Sequence, residues 1–180
     1  MEVEIIAVGN ELLLGETIDT NSAYLARRLA AIGARVTRVT LVGDDRARLA
    51  GVLREARGRT RWLITMGGLG PTRDDVTRGV VAETFDRPLR LDPGELAIVE
   101  GKFRRFGYKT MPPSNRSQAM VPDGVRIVPN AHGTAPGLVL EEDGFTLFVL
   151  PGVPHEMKAM VEEVVVPELA AAAGGGVRAI

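Results

Sequence analysis

WLITMGGLGPTRDDVTRGVVAETF, residues 62–85, decides the fold. Its first five residues are an apolar run of strand length, and its last ten carry Val76, Val80 and Phe85 at helical spacing. A glycine-rich stretch joins them, so the chain passes from a strand through a tight loop into a helix. Two stretches upstream repeat the pattern. EIIAV (4–8) stops at Gly9, and after the loop NELLLGETIDTN the segment SAYLARRLAAIG (22–33) sets Leu25, Leu29 and Ile32 on one helical face. It ends on Gly33, with Asp19, Thr20 or Asn21 as its cap. RVTRVTLVG (35–43) then alternates as a strand, and DDRARLAGVLREARG (44–58) is helical through Leu49, Val52, Leu53 and Ala56. Three strand–helix units in a row predict a parallel sheet with helices on both faces, because a parallel crossover needs a helix-sized connection.

Downstream, LDPGELAIVEGKFRRFG (91–107) reads as a helix with Asp92 as cap, Pro93 at the first position and Glu95 closing a capping box. MPPSNRSQAMVPDG (111–124) is a proline-interrupted linker or short helix, and VRIVPN (125–130) a strand. LVLEEDGFTLFVLPG (138–152) predicts a hairpin around Glu142, Asp143 and Gly144 that adds an antiparallel edge. VPHEMKAMVEEVVVPELAAAA (153–173) closes the chain as a helix with Met157 and Met160 inward and Pro167 as a candidate break. The expected fold is a three-layer α/β/α sandwich with a mostly parallel mixed sheet over residues 1–170. Residues 171–180 read as a flexible tail or the start of a linker.

Composition narrows the function. Hydrophobic residues make up 45% of the chain and aromatic ones only 4%, so the core is aliphatic. With no cysteine there is no thiol catalysis and no cysteine zinc site, in keeping with a cytoplasmic setting. Lys plus Arg number 22 against 23 for Asp plus Glu, so no global field favours nucleic acid or an anionic membrane. The first segment lacks a basic n-region and no run reaches transmembrane length, which predicts neither a signal peptide nor a membrane partner. A small-molecule ligand is the partner expected.

Ligands of such sheets collect beyond the carboxyl ends of the strands. Gly67, Gly68 and Gly70 sit there and let backbone amides approach an anion, which reads as phosphate binding. The Walker lysine is missing, as is the dinucleotide fingerprint. In the structural alternative the glycines only turn the chain and Asp74 caps the helix. Asp74 and Asp75 side by side favour an oxygen-loving divalent ion carried with the phosphate. One of Asp44 and Asp45 caps the second helix, and Asp44 is expected to face Asp75 across the pocket. Glu11 lies on the same rim as a metal ligand, a general base or a solvated residue. His132 and His155 have no partner at metal-ligand spacing, and RGRTR (57–61) reads as a solvated helix terminus.

Taken together, GNELLLG with TIDTNS, then VGDD, GGLGPTRDDVT, NRSQA, NAHGTAPG and LPGVPHEM occur in an order that resembles the amino-terminal domain of CinA-type (competence-damage-inducible) proteins. The resemblance runs from Val3 to about Val166 and extends to the wider MoaB/Mog molybdopterin-binding family. It implies the three-layer fold, self-association into a dimer or trimer, and a pocket at the strand ends. From the Mog branch it implies that Gly67, Gly68, Gly70, Asp75 and Asp44 bind the pterin phosphate and metal. Leu69 departs from the Thr or Ser usual there, which removes a hydroxyl from the cradle. From the CinA branch it implies a metal-dependent ADP-ribose pyrophosphatase, often fused to a nicotinamide mononucleotide deamidase domain that has no counterpart in these 180 residues.

The leading expectation is therefore hydrolysis of ADP-ribose to AMP and ribose 5-phosphate. The catalytic set is Asp75, Asp44 and Glu11, and the metal set, for Mg, Mn or Co, is Asp44, Asp74 and Asp75. Asn21, Thr72, Asn115, Gly133, Thr134, Ala135 and Gly152 are the further substrate and phosphate contacts. The alternatives are adenylyl transfer to molybdopterin and a non-catalytic molybdopterin- or nucleotide-binding module.

Overall fold

In the computed structural model, which describes residues 1–142 and 144–174, four strands run parallel. They are β1 (Glu2–Val8), β2 (Arg35–Val42), β3 (Trp62–Met66) and β8 (Phe145–Leu150). β6 (Arg126–Val128) and β7 (Gly137–Glu142) complete a six-stranded sheet in the order β2-β1-β3-β8-β7-β6. β7 alone runs against the direction of the other five strands. The hairpin is present, but not as an edge: β8 pairs with β3 in the middle of the sheet, and β6 forms the border. The all-buried pattern of β8 is that of a strand covered on both faces.

Alternation along each strand divides the core. Ile6 and Val8, Leu63, and Leu147 and Val149 face one layer, where they meet Leu49, Leu53 and Ala56 of α3 (Arg46–Arg57) and Val80 and Val81 of α4 (Thr77–Thr84). Val3, Ile5 and Ala7, Ile64, Phe148 and Leu150 face the other. There they meet Leu25 and Leu29 of α2 (Thr20–Ala31) and the carboxy-terminal helix. Each fully buried Leu or Val contributes about 1.5–3 kcal/mol of transfer free energy, which holds the three layers together with few aromatic rings.

That last helix bends its geometry around Pro167. α6 (Pro154–Met160) runs into a π-helical turn at Val161–Val165 and then into α7 (Val166–Ala172), so the proline is absorbed without a break. Met157 and Met160 are core, as expected. Ala171 and Ala172 belong to α7, and the rest of the expected tail, 175–180, lies outside the described residues. Asp143, at the expected hairpin turn, is outside them too.

Between α4 and β6 lies an appended unit, joined to the α3/α4 side of the core through Val121. β4 (Leu89–Leu91) pairs with β5 (Met120–Pro122) as a two-stranded ribbon, beside α5 (Pro93–Arg105) and a 3₁₀ turn at Pro113–Ala119. The ribbon went unread in the sequence because both strands are three residues long. Asp92 caps α5 by accepting from Glu95 N at 2.7 Å, but the capping box is only half formed. Asp92 N donates to Ala119 O instead, and Glu95 is buried. Arg59 of RGRTR, expected to be solvated, forms a paired ion bond with Glu4 on β1 at 2.8 and 2.7 Å.

Candidate functional site

β1 and β2 lie side by side, while the chain crosses over β1 to reach β3, so the strand order reverses between β1 and β3. At that switch point a crevice opens beyond the strand ends. It has a volume of about 630 Å³ and takes its walls from the loops after β1, β2, β3 and β8 and from the β6–β7 connection. Glu11, Asn21, Asp44, Gly67, Gly68, Gly70, Asp74, Asp75, Thr134, Ala135 and Gly152 all line it.

The floor is the loop after β3. Gly67 has φ 100°, and a Cβ there would collide with the Val8 carbonyl oxygen, so only glycine lets β3 turn this close to β1. Asp75 then closes the loop. Its Oδ1 accepts from Gly70 N at 2.8 Å, and its Oδ2 accepts from Thr72 N at 2.8 Å and Thr72 Oγ1 at 2.6 Å. A Cβ on Gly70 would lie 2.5 Å from Asp75 Oδ2. Gly67 N is taken by Leu150 O. Among the described residues the amides of Gly68 and Leu69 find no backbone acceptor, which leaves them as donors for an anion.

Behind the loop sits Arg78, almost fully buried, a group to which no sequence signal pointed. Its guanidinium donates to Leu69 O at 3.0 Å and to Ser117 O at 3.1 Å. The peptide between Leu69 and Gly70 is thus clamped at both ends, its carbonyl by Arg78 and its N–H by Asp75. Burial lowers the pKa of this guanidinium to about 10, and the Asp75 and Glu95 carboxylates oppose that shift. Leu69 itself is buried in the core, so its side chain points away from the cradle and removes no hydroxyl from it.

The two aspartates of this loop differ in their surroundings. The first residue of α4 follows Val76, and no side chain caps the helix, so Asp74 is not a cap. Asp74 stands exposed on the crevice, whereas Asp75 holds the loop together. At β2 the expected division is observed: Asp45 caps α3 through Arg48 N at 2.9 Å, and Asp44 faces the crevice. Asp44 and Asn10 exchange two bonds, Asn10 N to Asp44 Oδ2 at 3.1 Å and Asp44 N to Asn10 Oδ1 at 3.0 Å, which lock the β1 and β2 loops together. Burial raises the Asp44 pKa, the Asn10 amide lowers it, and the carboxylates of Glu11, Asp74 and Asp75 raise it further. The carboxylates thus converge within electrostatic reach. Among the described residues, however, no three Asp, Glu or His are grouped to hold a metal ion by themselves.

Three expected contacts lie elsewhere. Thr72 gives both its N–H and its hydroxyl to Asp75. Asn115 is buried in the 3₁₀ turn, donating to Gln118 Oε1 at 2.9 Å, and Gln118 reaches the crevice in its place. Gly133 gives its N–H to Asn130 Oδ1 at 2.8 Å. Asn130, which the sequence reading passed over, organises its whole loop. Oδ1 also accepts from His132 N at 3.0 Å, and Nδ2 donates to Ala135 O at 2.8 Å and Glu156 Oε2 at 2.6 Å. An Asn three residues before a Gly, just after a strand, is the legible signal for such a turn. Asn21 stands where α2 begins, donating to Gly152 O at 2.8 Å, while its Oδ1 is buried without a partner. The rings of His132 and His155 approach edge to face, 6.2 Å apart.

Residues 4–171 match the family described as a probable molybdopterin binding domain. The chain belongs to the molybdopterin-binding domain family. Within that family it is a CinA-like domain. It is 50% identical over 171 residues to a CinA-like protein of Gemmatimonas aurantiaca, covering 94% of this chain and 40% of the relative. A putative competence-damage inducible protein of Symbiobacterium thermophilum is 50% identical over 176 residues, 97% of this chain and 41% of the relative. The chain thus spans about two fifths of the length of these curated relatives. In three dimensions it is similar to a CinA protein of unknown function from Thermoplasma acidophilum, with a TM-score of 0.83 and 34% identity over 91% of this chain and 95% of that one. The molybdopterin biosynthesis enzyme MoaB from Thermus thermophilus shares the fold, with a TM-score of 0.62 and 23% identity over 97% of each chain.

Proposed function

We propose that the crevice binds a phosphorylated small molecule of the pterin or nucleotide class, with its phosphate over Gly67–Gly70. The observation that carries this reading is the loop after β3. Asp75 and Arg78 hold it in one shape, and the amides of Gly68 and Leu69 are left for an anion at the switch point of the sheet. Membership of the molybdopterin-binding family supports a pterin phosphate as one such ligand. Asn21, whose buried Oδ1 lacks a partner, fits a ligand that brings a donor to the crevice. Assembly into a dimer or trimer belongs to the same reading, and light scattering on the purified chain measures it.

A second reading is cleavage of the ADP-ribose pyrophosphate to AMP and ribose 5-phosphate, favoured by the converging carboxylates around Asp44. Glu11, Asp44 and Asp74 are oxygen donors that suit Mg, Mn or Co when ligand phosphates complete the shell, the usual way such ions are held. The bound ion would supply charge neutralisation and a more acidic water. The chain's own part is to fix the pyrophosphate on the glycine loop and to present Asp44 or Glu11 to the proton of the attacking water.

One experiment separates the two. ADP-ribose is titrated calorimetrically in EDTA and then incubated with each of the three metals while AMP release is followed. Tight binding in EDTA with AMP appearing only with metal supports both readings, and Asp44→Asn then retains binding and loses turnover. Binding without turnover in every metal removes the hydrolase reading alone. If neither ADP-ribose nor a pterin phosphate binds, the first reading falls.

A further inference from the structure

The chain has two histidines, and the fold brings them together. His132 lies on the β6–β7 loop and His155 in the first turn of α6, far apart in sequence. Their ring centroids are 6.2 Å apart, with the planes at 76° to each other. Both residues are exposed, and neither lines the crevice.

The backbone that carries the two rings is fixed. His132 N donates to Asn130 Oδ1 at 3.0 Å, and Lys102 Nζ donates to Asn130 O at 2.5 Å, so the loop is held from two sides. α6 begins at Pro154, whose ring presets the helical backbone, and is anchored by Met157 and Met160, both buried. Loop and helix are joined to each other by Asn130 Nδ2, which donates to Glu156 Oε2 at 2.6 Å. The imidazoles are thus the exposed, rotatable parts of a rigid frame. Metal–nitrogen bonds of about 2.0–2.1 Å place two imidazoles on one tetrahedral ion with their centroids about 5 Å apart. The edge of one ring now meets the face of the other, and a side-chain rotation that closes about 1 Å turns a nitrogen of each towards a shared ion.

The charges around the pair fit a cation. The start of a helix carries the positive end of its dipole, and Glu156, in the same first turn as His155, offsets it. Glu156 supplies charge rather than a third ligand, because its Oε2 is taken by Asn130 and, among the described residues, no three His, Asp or Glu are grouped to hold an ion. Two imidazoles with water completing the shell select nitrogen-preferring ions over oxygen-loving Mg²⁺.

We propose that His132 and His155 form a two-imidazole site for a first-row divalent ion of the Ni, Cu or Zn type, which clasps the β6–β7 loop to α6. It is chemically distinct from the oxygen donors around Asp44, which suit harder ions.

The test titrates the untagged full chain with Ni²⁺, following the heat and the imidazole NMR signals, which come from these two residues alone. The first equivalent of Ni²⁺ is expected to broaden both ring signals together and to raise the melting temperature, whereas Mg²⁺ leaves both signals in place. His132→Gln and His155→Gln, at exposed positions, keep the metal-free melting temperature, and each weakens Ni²⁺ binding at least about tenfold. Asp44→Asn leaves it unchanged. Ni²⁺ binding that persists at full strength in either histidine variant, or ring signals that respond at separate Ni²⁺ concentrations, overturns the proposal and leaves two independent histidines. So does binding that is lost in Asp44→Asn, which would place the ion in the crevice.

Discussion

Two glycine loops wall the crevice, 66–75 after β3 and 130–137 between β6 and β7, and each is closed by one side chain acting in a different way. Asp75 reaches back from the end of its loop and accepts from two amides and a hydroxyl, all within that loop. Asn130 reaches forward from the start of its own, and its carboxamide donates as well as accepts. The carboxylate gathers N–H groups that would otherwise face the ligand, so the anion cradle is smaller than three glycines imply. The carboxamide has a donor to spare, and spends it outside its loop on Glu156. Asp75 thus keeps its bonds inside one loop, while Asn130 couples its own loop to α6 and, through Lys102, to α5.

Gly67→Ala is the most damaging change expected, because it forces a left-handed backbone onto a residue whose Cβ meets the Val8 carbonyl. A loss of at least about 3 kcal/mol in urea denaturation is expected. Asp75→Ala leaves the Gly70 and Thr72 amides without their acceptor. It should cost about 2–3 kcal/mol and abolish pyrophosphate binding, read by the same denaturation and by calorimetry. Asn130→Ala should cost less, about 1–2 kcal/mol, since three of its four bonds pair neutral groups, whereas every bond to Asp75 ends on a carboxylate. Its distinctive effect is local: pyrophosphate binding survives, while the 130–137 loop loses its tie to Glu156 of α6. If Asn130→Ala and Asp75→Ala proved indistinguishable in pyrophosphate affinity, the contrast between a closed and a coupled loop would be wrong.

The smallest effect is expected far from both loops. Glu162 accepts from Arg28 Nε at 2.5 Å and from the Tyr24 hydroxyl at 2.6 Å, tying α2 to the π-helical turn, and these bonds lower its pKa to about 2. A carboxyl depressed in the fold stabilises above its unfolded pKa, near 4.5, and loses that contribution as pH falls towards 2. The pair is more than one third exposed, so Glu162→Gln should cost under about 1 kcal/mol at pH 7. Melts at pH 7 and pH 2 should show the difference between variant and wild type closing at the acid end.

The framework was legible because periodicity and punctuation agree: EIIAV, RVTRVTLVG and WLITM each precede a helical repeat, and all three are parallel neighbours in the sheet. The position of β8 was not, since a hairpin pattern says which strands pair with each other and nothing about what lies on the far side. Asp44 and Asp75 do share one crevice. Adjacency in sequence misled at Asp74, because capping depends on where the helix begins, and with Thr77 as the first helical residue the cap position falls on Val76. Glu156 and Gln118 were missed for a different reason. Each sits on an element that reads as ordinary, and only tertiary packing brings it to the crevice.

The wide turn at Val161–Val165 is a matter of phase. Met157, Val161, Val165 and Leu169 are all buried and each is four residues from the next. In a regular α-helix a step of four overshoots a full rotation by about 40°, so three steps would carry Leu169 about 120° off the face that Met157 defines. A turn with more residues per revolution winds more slowly and cancels that drift, so a ladder with a period of four stays on the sheet for its full length. Segment length here is therefore a coded quantity: deleting one residue between 161 and 165 would leave composition and hydrophobicity almost untouched and still rotate everything beyond it out of register.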